Sequence, residues 1–78
     1  MLSLDKYTKV KYSIPFVAAV TFNIVKESKI LPYDELKQSV IQQLGDKVSE
    51  ILPLANALLF LLGKIEYIPG LDSIKALN

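Results

Sequence analysis

Residues 58–77 read LLFLLGKIEYIPGLDSIKAL, the apolar end of a helix followed by a hairpin pattern. Gly63 is expected to end the helix, because glycine accepts the left-handed conformation that follows a helix C-terminus. Residues 64–67 and 73–77 alternate polar with apolar side chains, which is typical of half-buried strands. Pro69-Gly70 between them is the preferred central pair of a type II turn, so the segment predicts a β-hairpin. The hairpin face that packs on the helices is expected to carry Ile65, Tyr67, Ile74 and Ala76.

Two helices are predicted in the first half of the chain. Ser13 is a favourable N-cap and Pro15 fits the first helical turn, so the first helix is expected over residues 14 to about 28. The second begins at residue 32 or 33 and ends before Gly45. Its inward stripe is expected to comprise Leu36, Val40, Ile41 and Leu44.

The third helix precedes the hairpin directly. It is expected to begin near Ser49 or at Pro53, because proline is tolerated in the first turn of a helix and not beyond it. Its inward stripe is expected to comprise Ile51, Leu54, Ala55, Leu58 and Leu62. Leu59, Phe60 and Leu61 then add apolar surface around the rest of the circumference.

The order helix, short strand, helix, helix, hairpin is that of a winged helix. Ile30 and Leu31, directly before Pro32, are predicted to be extended and to supply the third strand of a small sheet. A chain of 78 residues is one domain, so we expect a mostly α winged helix with a small β-wing over residues 1–78. Residues 1–12 are expected to form an N-terminal strand or arm. The alternative is a three-helix bundle with a C-terminal tail.

The composition argues against catalysis. The chain has no His, Cys, Trp or Arg, so zinc and copper sites are not expected, and the usual general base at neutral pH is absent. No acidic residue lies within an apolar run, where burial would raise its pKa toward a catalytic value. Asp34 and Glu35 are explained as acids that the helix dipole favours in a first turn. We therefore predict no enzymatic activity, no metal and no cofactor.

The charge pattern argues against sequence-specific nucleic-acid binding. The net charge is +1, and the third helix offers only Ser49, Glu50 and Asn56 before it becomes apolar. One basic and aromatic cluster is best explained as a solvated strand or arm, and contact with nucleic acid is the alternative. This cluster comprises Lys6, Lys9 and Lys11 with Tyr7 and Tyr12.

The two apolar stretches, residues 14–25 and 51–62, are too short for membrane helices. Each contains a polar residue, and a spanning helix needs roughly 20 apolar residues. Residues 1–12 carry charges of both signs and lack the apolar core of a secretory signal. No membrane association and a cytoplasmic location are therefore expected.

The first and third helices carry more apolar residues than one buried stripe requires. A domain this small has one limited core, so Phe16, Val20, Leu59 and Phe60 are not all expected to be inside. A contiguous exposed apolar patch marks a protein–protein interface. The alternative is that the N-terminal segment and the hairpin cover both helices.

Residues 56–67, NALLFLLGKIEY, and residues 72–74, DSI, resemble a known family. They look like the C-terminal signature of the small winged-helix middle components of prokaryotic ABC-three-component systems, including Lamassu-type defence systems. That signature is an apolar helix, Leu-Gly-Lys-Ile, a polar residue, Tyr, a turn, and Asp before an apolar strand. The same region is similar to the C-terminal winged helix of kleisins, which binds the heads of SMC ATPases. The first half of the chain matches only in the order of its helices.

The resemblance implies a non-enzymatic subunit that bridges an SMC- or ABC-type ATPase to an effector, a nuclease, in anti-phage defence. By analogy with kleisins, the third helix and the wing would contact the ATPase. The expected interface residues are Leu59, Phe60, Lys64 and Tyr67, with Phe16 and Val20 as a second patch. The alternative function is a small winged-helix transcription regulator or antitoxin that acts on DNA as a dimer.

Overall fold

The computed structural model describes residues 12–77, which form three α-helices and three short strands. Helix α1 spans Ile14–Ser28, strand β1 spans Ile30–Pro32 and helix α2 spans Tyr33–Leu44. A 3-10 helix, Asp46–Glu50, leads into helix α3, Leu52–Leu61. Strands β2, Ile65–Ile68, and β3, Ser73–Ala76, form the hairpin, with a second 3-10 turn over Pro69–Leu71 between them.

The predicted helix starts are confirmed for α1 and α2, and local chemistry explains them. The Ser13 hydroxyl accepts a hydrogen bond from the Phe16 backbone N–H at 3.3 Å, which caps the start of α1. Pro15 lies in the first turn, where its missing N–H leaves no bond unmade. Helix α2 begins after Pro32 and ends at Gly45.

The three strands form one antiparallel sheet in the order β1-β3-β2. Ile30 pairs with Lys75 and Leu31 with Ile74, so the predicted third strand is confirmed. On the other side of β3, Ile65 pairs with Ala76 and Tyr67 pairs with Ile74. A strand contributed from between two helices makes the fold winged-helix-like, and the alternative of a three-helix bundle with a tail is wrong.

The core lies where α1 and α3 pack on each other and where α2 and the sheet close around them. Helix α2 buries Leu36, Val40 and Leu44, as its stripe predicts. The predicted stripe of α3 is confirmed at Ala55, and Ile51 and Leu58 pack partly buried against the core. It is wrong at Leu54 and Leu62, which are exposed. The helix instead buries Leu52, Ala55, Asn56 and Leu59.

The turn of the hairpin also differs from the prediction. A type II turn needs positive φ at Gly70, but Gly70 is not among the residues with positive φ. Pro69–Leu71 is a single 3-10 turn, and Asp72 takes the left-handed conformation at φ 47°. Aspartate tolerates that conformation better than most residues, because its short side chain bonds locally.

The N-terminal prediction lies almost wholly outside the described residues. Of the expected strand or arm over residues 1–12, only Tyr12 is described. Its hydroxyl donates to the Leu44 carbonyl at 3.2 Å, which ties the start of α1 to the end of α2.

Candidate functional site

Helix α3 is apolar on every side. Its only polar residue, Asn56, is buried and its exposed side is apolar, whereas an ordinary surface helix buries its apolar side and exposes its polar one. The side turned away from the core, which we name the outer face of α3, is exposed. It comprises Pro53, Leu54, Ala57, Phe60 and Leu61.

The exposure of the outer face is large. Leu54 is 55% exposed, Phe60 40% and Leu61 85%. The spacing of three and four residues places these side chains on one side of the helix. Since no charged or polar group interrupts them, the outer face is a continuous apolar strip.

Two further residues extend the apolar surface beyond the C-terminal end of α3. Leu62 follows the helix directly and is exposed. The Leu77 N–H donates to the Lys64 carbonyl at 2.8 Å, so the exposed Leu77 lies beside the residue that leads from α3 into β2. Exposed apolar side chains therefore lie beyond the end of α3 as well as on its outer face.

Three of the four residues predicted for the first patch are exposed, and the fourth is buried. Phe60 and Lys64 are exposed, and Tyr67 is 42% exposed on the edge strand β2. Leu59 is 4% exposed and belongs to the core, so its side chain is not available to a partner. The physical reason is its spacing of four residues from Ala55 and seven from Leu52, which places it on the buried side of α3.

The Tyr67 hydroxyl is engaged within the hairpin. It donates to the Asp72 carboxylate at 2.6 Å. This hydrogen bond, with smaller contributions from desolvation and from the carboxylate charge, raises the pKa of Tyr67 above its ordinary value. The ring of Tyr67 remains the free part of the side chain.

The predicted second patch is smaller than expected. Phe16 is 40% exposed near the start of α1. Val20, one turn later, is half-buried against the core. Ile14, in the first turn of α1, is also exposed, although helical spacing predicts it on the same inward face as Val17 and Thr21.

The predicted nucleic-acid cluster cannot be placed. Lys6, Lys9 and Lys11 lie outside the described residues, and so does Tyr7. Tyr12 is half-buried at the start of α1 and packs against the core. The contact of this cluster with nucleic acid stays a prediction.

Residues 12–77 form no pocket, and no three of their Asp and Glu side chains are close enough together to hold a metal ion. Within the same residues, no helix has the length and apolarity that crossing a membrane requires.

A family model matches residues 29–77, which run from the end of α1 through the hairpin. Its description is ABC-three component (ABC-3C) system Middle Component 8. The chain belongs to this family. Membership makes it a component of a multi-component system, as the resemblance of the third helix and hairpin implies.

The family match is wider than that resemblance, because it includes β1 and α2 as well as α3 and the hairpin. No curated protein and no solved structure matches the chain. A Lamassu-type system in particular stays a prediction.

Sequence reasoning missed Leu54, Leu61 and Leu62 as candidate contact residues. Two of them, Leu54 and Leu62, were assigned to the inward stripe. A signal was present, because Leu54, Ala57 and Leu61 recur at helical spacing with no polar residue among them. That signal alone does not distinguish an exposed apolar face from a buried one.

Two buried polar atoms lie on the faces through which α1 and α3 pack. Thr21 Oγ1 on α1 and Asn56 Oδ1 on α3 make no hydrogen bond within residues 12–77. A buried polar atom without a partner lowers stability, because it loses its hydrogen bonds to water on folding.

Thr21→Val is therefore expected to raise the free energy of unfolding by about 1 kcal/mol, since a methyl group replaces the unpaired hydroxyl. Urea denaturation of both proteins measures this difference. The reverse change one turn later, Val25→Thr, places a hydroxyl in the core and should lower stability by about 1–3 kcal/mol. A destabilised Thr21→Val protein would mean that the hydroxyl does have a partner.

Proposed function

We propose that the chain is a non-enzymatic adaptor subunit that bridges an SMC- or ABC-type ATPase to an effector, a nuclease, in prokaryotic anti-phage defence. The observation that carries this proposal is the distribution of exposed apolar side chains over three separate elements. They lie on α1, on the outer face of α3 and on the hairpin, represented by Phe16, Leu61 and Leu71. An adaptor needs more than one contact surface, and this distribution supplies it.

The energetics of the outer face of α3 favour a protein partner. Leaving apolar surface in water forgoes about 25 cal/mol for each Å² that a partner would bury. Single exposed apolar residues are ordinary, but an uninterrupted strip on one helix is typical of a contact surface. Membership of a multi-component family supports the same conclusion.

The same face disfavours the alternative of DNA binding. In helix-turn-helix proteins the third helix enters the major groove, and its exposed side chains donate hydrogen bonds to base edges. Here the exposed side of that helix carries no hydrogen-bonding side chain. A regulator or antitoxin that reads DNA with α3 would need polar residues where the chain has Leu54, Ala57 and Leu61.

We assign the surfaces by the analogy with kleisins. The end of α3 and the hairpin, with Phe60, Lys64 and Tyr67, would contact the ATPase. Phe16 on α1, with Val20 half-buried next to it, would contact the effector. Leu71 at the exposed hairpin turn extends the first surface.

The test is co-purification of the tagged full chain with the ATPase and effector of its own system. Aspartate is introduced at one exposed apolar position on each element, in the variants Phe16→Asp, Leu61→Asp and Leu71→Asp. Each charge should weaken its own contact about tenfold or more, because a buried unpaired carboxylate opposes association. We expect Leu71→Asp to lose the ATPase and Phe16→Asp to lose the effector.

Gln42→Asp is the matched control, because Gln42 is exposed on the polar side of α2. It should retain both partners. Circular dichroism establishes that every variant is folded before its partners are counted. Association of the ATPase with the effector in the absence of this chain would contradict the adaptor role, and so would retention of both partners by all three variants.

A further inference from the structure

We propose that the outer face of α3 binds the same face of a second copy of this chain, with the two helices antiparallel and Ala57 at the crossing point. The inference rests on the proposed function to the extent that both treat this face as a protein contact. It goes further by naming the occupant. The dimer would take Phe60 and Lys64 out of the surface assigned above to the ATPase. The ATPase would then contact the hairpin through the exposed Tyr67 and Leu71, and the effector would contact α1 through Phe16.

The outer face is symmetric about Ala57. Leu54 and Phe60 each lie three residues from it, and Pro53 and Leu61 each lie four residues from it. In an antiparallel pair centred on Ala57, Leu54 of one copy faces Phe60 of the other, and Pro53 faces Leu61. A two-fold interface must be self-complementary in this way, because the same patch serves both copies.

The size of the central residue suits a helix crossing. Ala57 is exposed and is the smallest side chain on the outer face. A small residue at the crossing point lets two helices approach closely, while larger residues on either side interlock. Here those larger residues are Leu54 and Phe60.

The charges beyond the helix ends match the antiparallel orientation. Glu50 lies seven residues before Ala57 and Lys64 seven residues after it, and both are exposed. An antiparallel pair brings Glu50 of each copy toward Lys64 of the other. A parallel pair would instead place like charges together, and its helix dipoles would repel each other.

The expected dimer is modest in strength. A helix of ten residues is about 15 Å long, so two such faces bury less than the roughly 1,200 Å² of a standard stable interface. We expect a dissociation constant on the order of 10 µM, measurable by sedimentation of the full chain over a concentration series.

Cysteine cross-linking tests the geometry, because the natural chain contains no cysteine. Ala57→Cys should form a disulfide-linked dimer under mild oxidation, since the two copies of residue 57 would face each other. Gln42→Cys is the matched control. Gln42 is also exposed but lies on α2, away from the outer face, so this variant should form no disulfide-linked dimer.

Charge reversal tests the orientation independently. At low ionic strength Glu50→Lys and Lys64→Glu should each weaken the dimer about tenfold, since each sets like charges against each other at both ends of the interface. The double variant Glu50→Lys/Lys64→Glu should recover the original dissociation constant. Both substitutions are on exposed residues, so all three variants should keep the core intact.

Three outcomes overturn the dimer proposal. The first is a chain that stays monomeric at about 1 mM, well above the expected dissociation constant. The second is cross-linking of Gln42→Cys as readily as of Ala57→Cys. The third is an Ala57→Cys variant that forms no disulfide-linked dimer and whose thiol reacts with maleimide far more slowly than the thiol of Gln42→Cys. Slow reaction would mean that the chain itself covers the outer face. None of these outcomes contradicts the adaptor role, which the co-purification experiment tests separately.

Discussion

Leu52→Ala is expected to lower the free energy of unfolding by about 2–5 kcal/mol. The Leu52 side chain is fully buried at the start of α3, among the residues that hold this helix against the core. Truncating it removes three carbon atoms from the core and leaves a cavity that the surrounding helices fill only in part. A domain of this size has a total stability of similar magnitude, so much of the variant should be unfolded at 37 °C.

The matched control is Leu54→Ala, the same substitution two residues further along the helix. Leu54 is exposed on the outer face, so its truncation removes little from the core. Because alanine is also the better helix former, the net change should be less than about 0.5 kcal/mol. Urea denaturation followed by circular dichroism measures both variants.

Comparing Leu52→Ala with Leu54→Ala shows which side of α3 faces the core. The sequence-based prediction turned Leu54 inward, whereas the structure turns Leu52 inward. A large loss of stability in Leu54→Ala together with a small one in Leu52→Ala would contradict the structure. It would also remove the outer face of α3 as a contact surface.

Gly45→Ala is expected to lower the free energy of unfolding by about 1–3 kcal/mol. Gly45 ends α2 with φ 98° and ψ 165°, a region of backbone space that is open almost only to glycine. A Cβ atom there would lie 3.4 Å from the Tyr12 hydroxyl oxygen, so the new side chain would also crowd the contact that ties α1 to α2. Differential scanning calorimetry should show a lower transition temperature.

Gly70→Ala is the control for that substitution. Gly70 lies in the hairpin turn, does not have positive φ, and has no atom within 4 Å of where a Cβ would lie. Alanine restricts the unfolded chain without straining the folded one, so stability should stay the same or rise by up to about 1 kcal/mol. Equal losses at both positions would show that backbone conformation is not the cause.

Prediction from the sequence succeeded where a local signal has one interpretation. Ser13 and Pro15 determine the start of α1, and Gly45 ends α2, because capping and φ preferences act within a few residues. Helix α2 is polar on one side, so its apolar stripe identified the buried residues Leu36 and Val40. The strand at Ile30 follows from the proline after it.

Prediction from the sequence failed at α3, because a helix that is apolar all round carries no signal about which side is buried. The 3-10 helix before it added a second difficulty. The predicted stripe was counted from Ile51, but α3 begins only at Leu52, so Ile51 lies outside the helix whose buried side it was meant to indicate. As a result Leu59 was predicted on the surface and lies in the core, while Leu54 and Leu62 were predicted in the core and are exposed.

Function divides in the same way between what the order of residues indicates and what depends on which residues are buried. The resemblance of residues 56–67 and 72–74 to middle components of ABC-three-component systems came from an ordered set of residue types, and the family match confirms that family. The identity of the contact residues depends on which side of α3 is uncovered. For that reason Phe60 remains a candidate contact and Leu59 does not.

The sequence by itself determined the order of the elements, the buried face of α2 and the family. These follow from capping, from periodicity and from the order of residue types, all of which are local along the chain. Only the tertiary structure decided the orientation of α3, the burial of Asn56 and hence the outer face with Ala57 at its centre. Packing against α1 selects one side of a helix whose sides are almost equally apolar, and no local signal contains that choice.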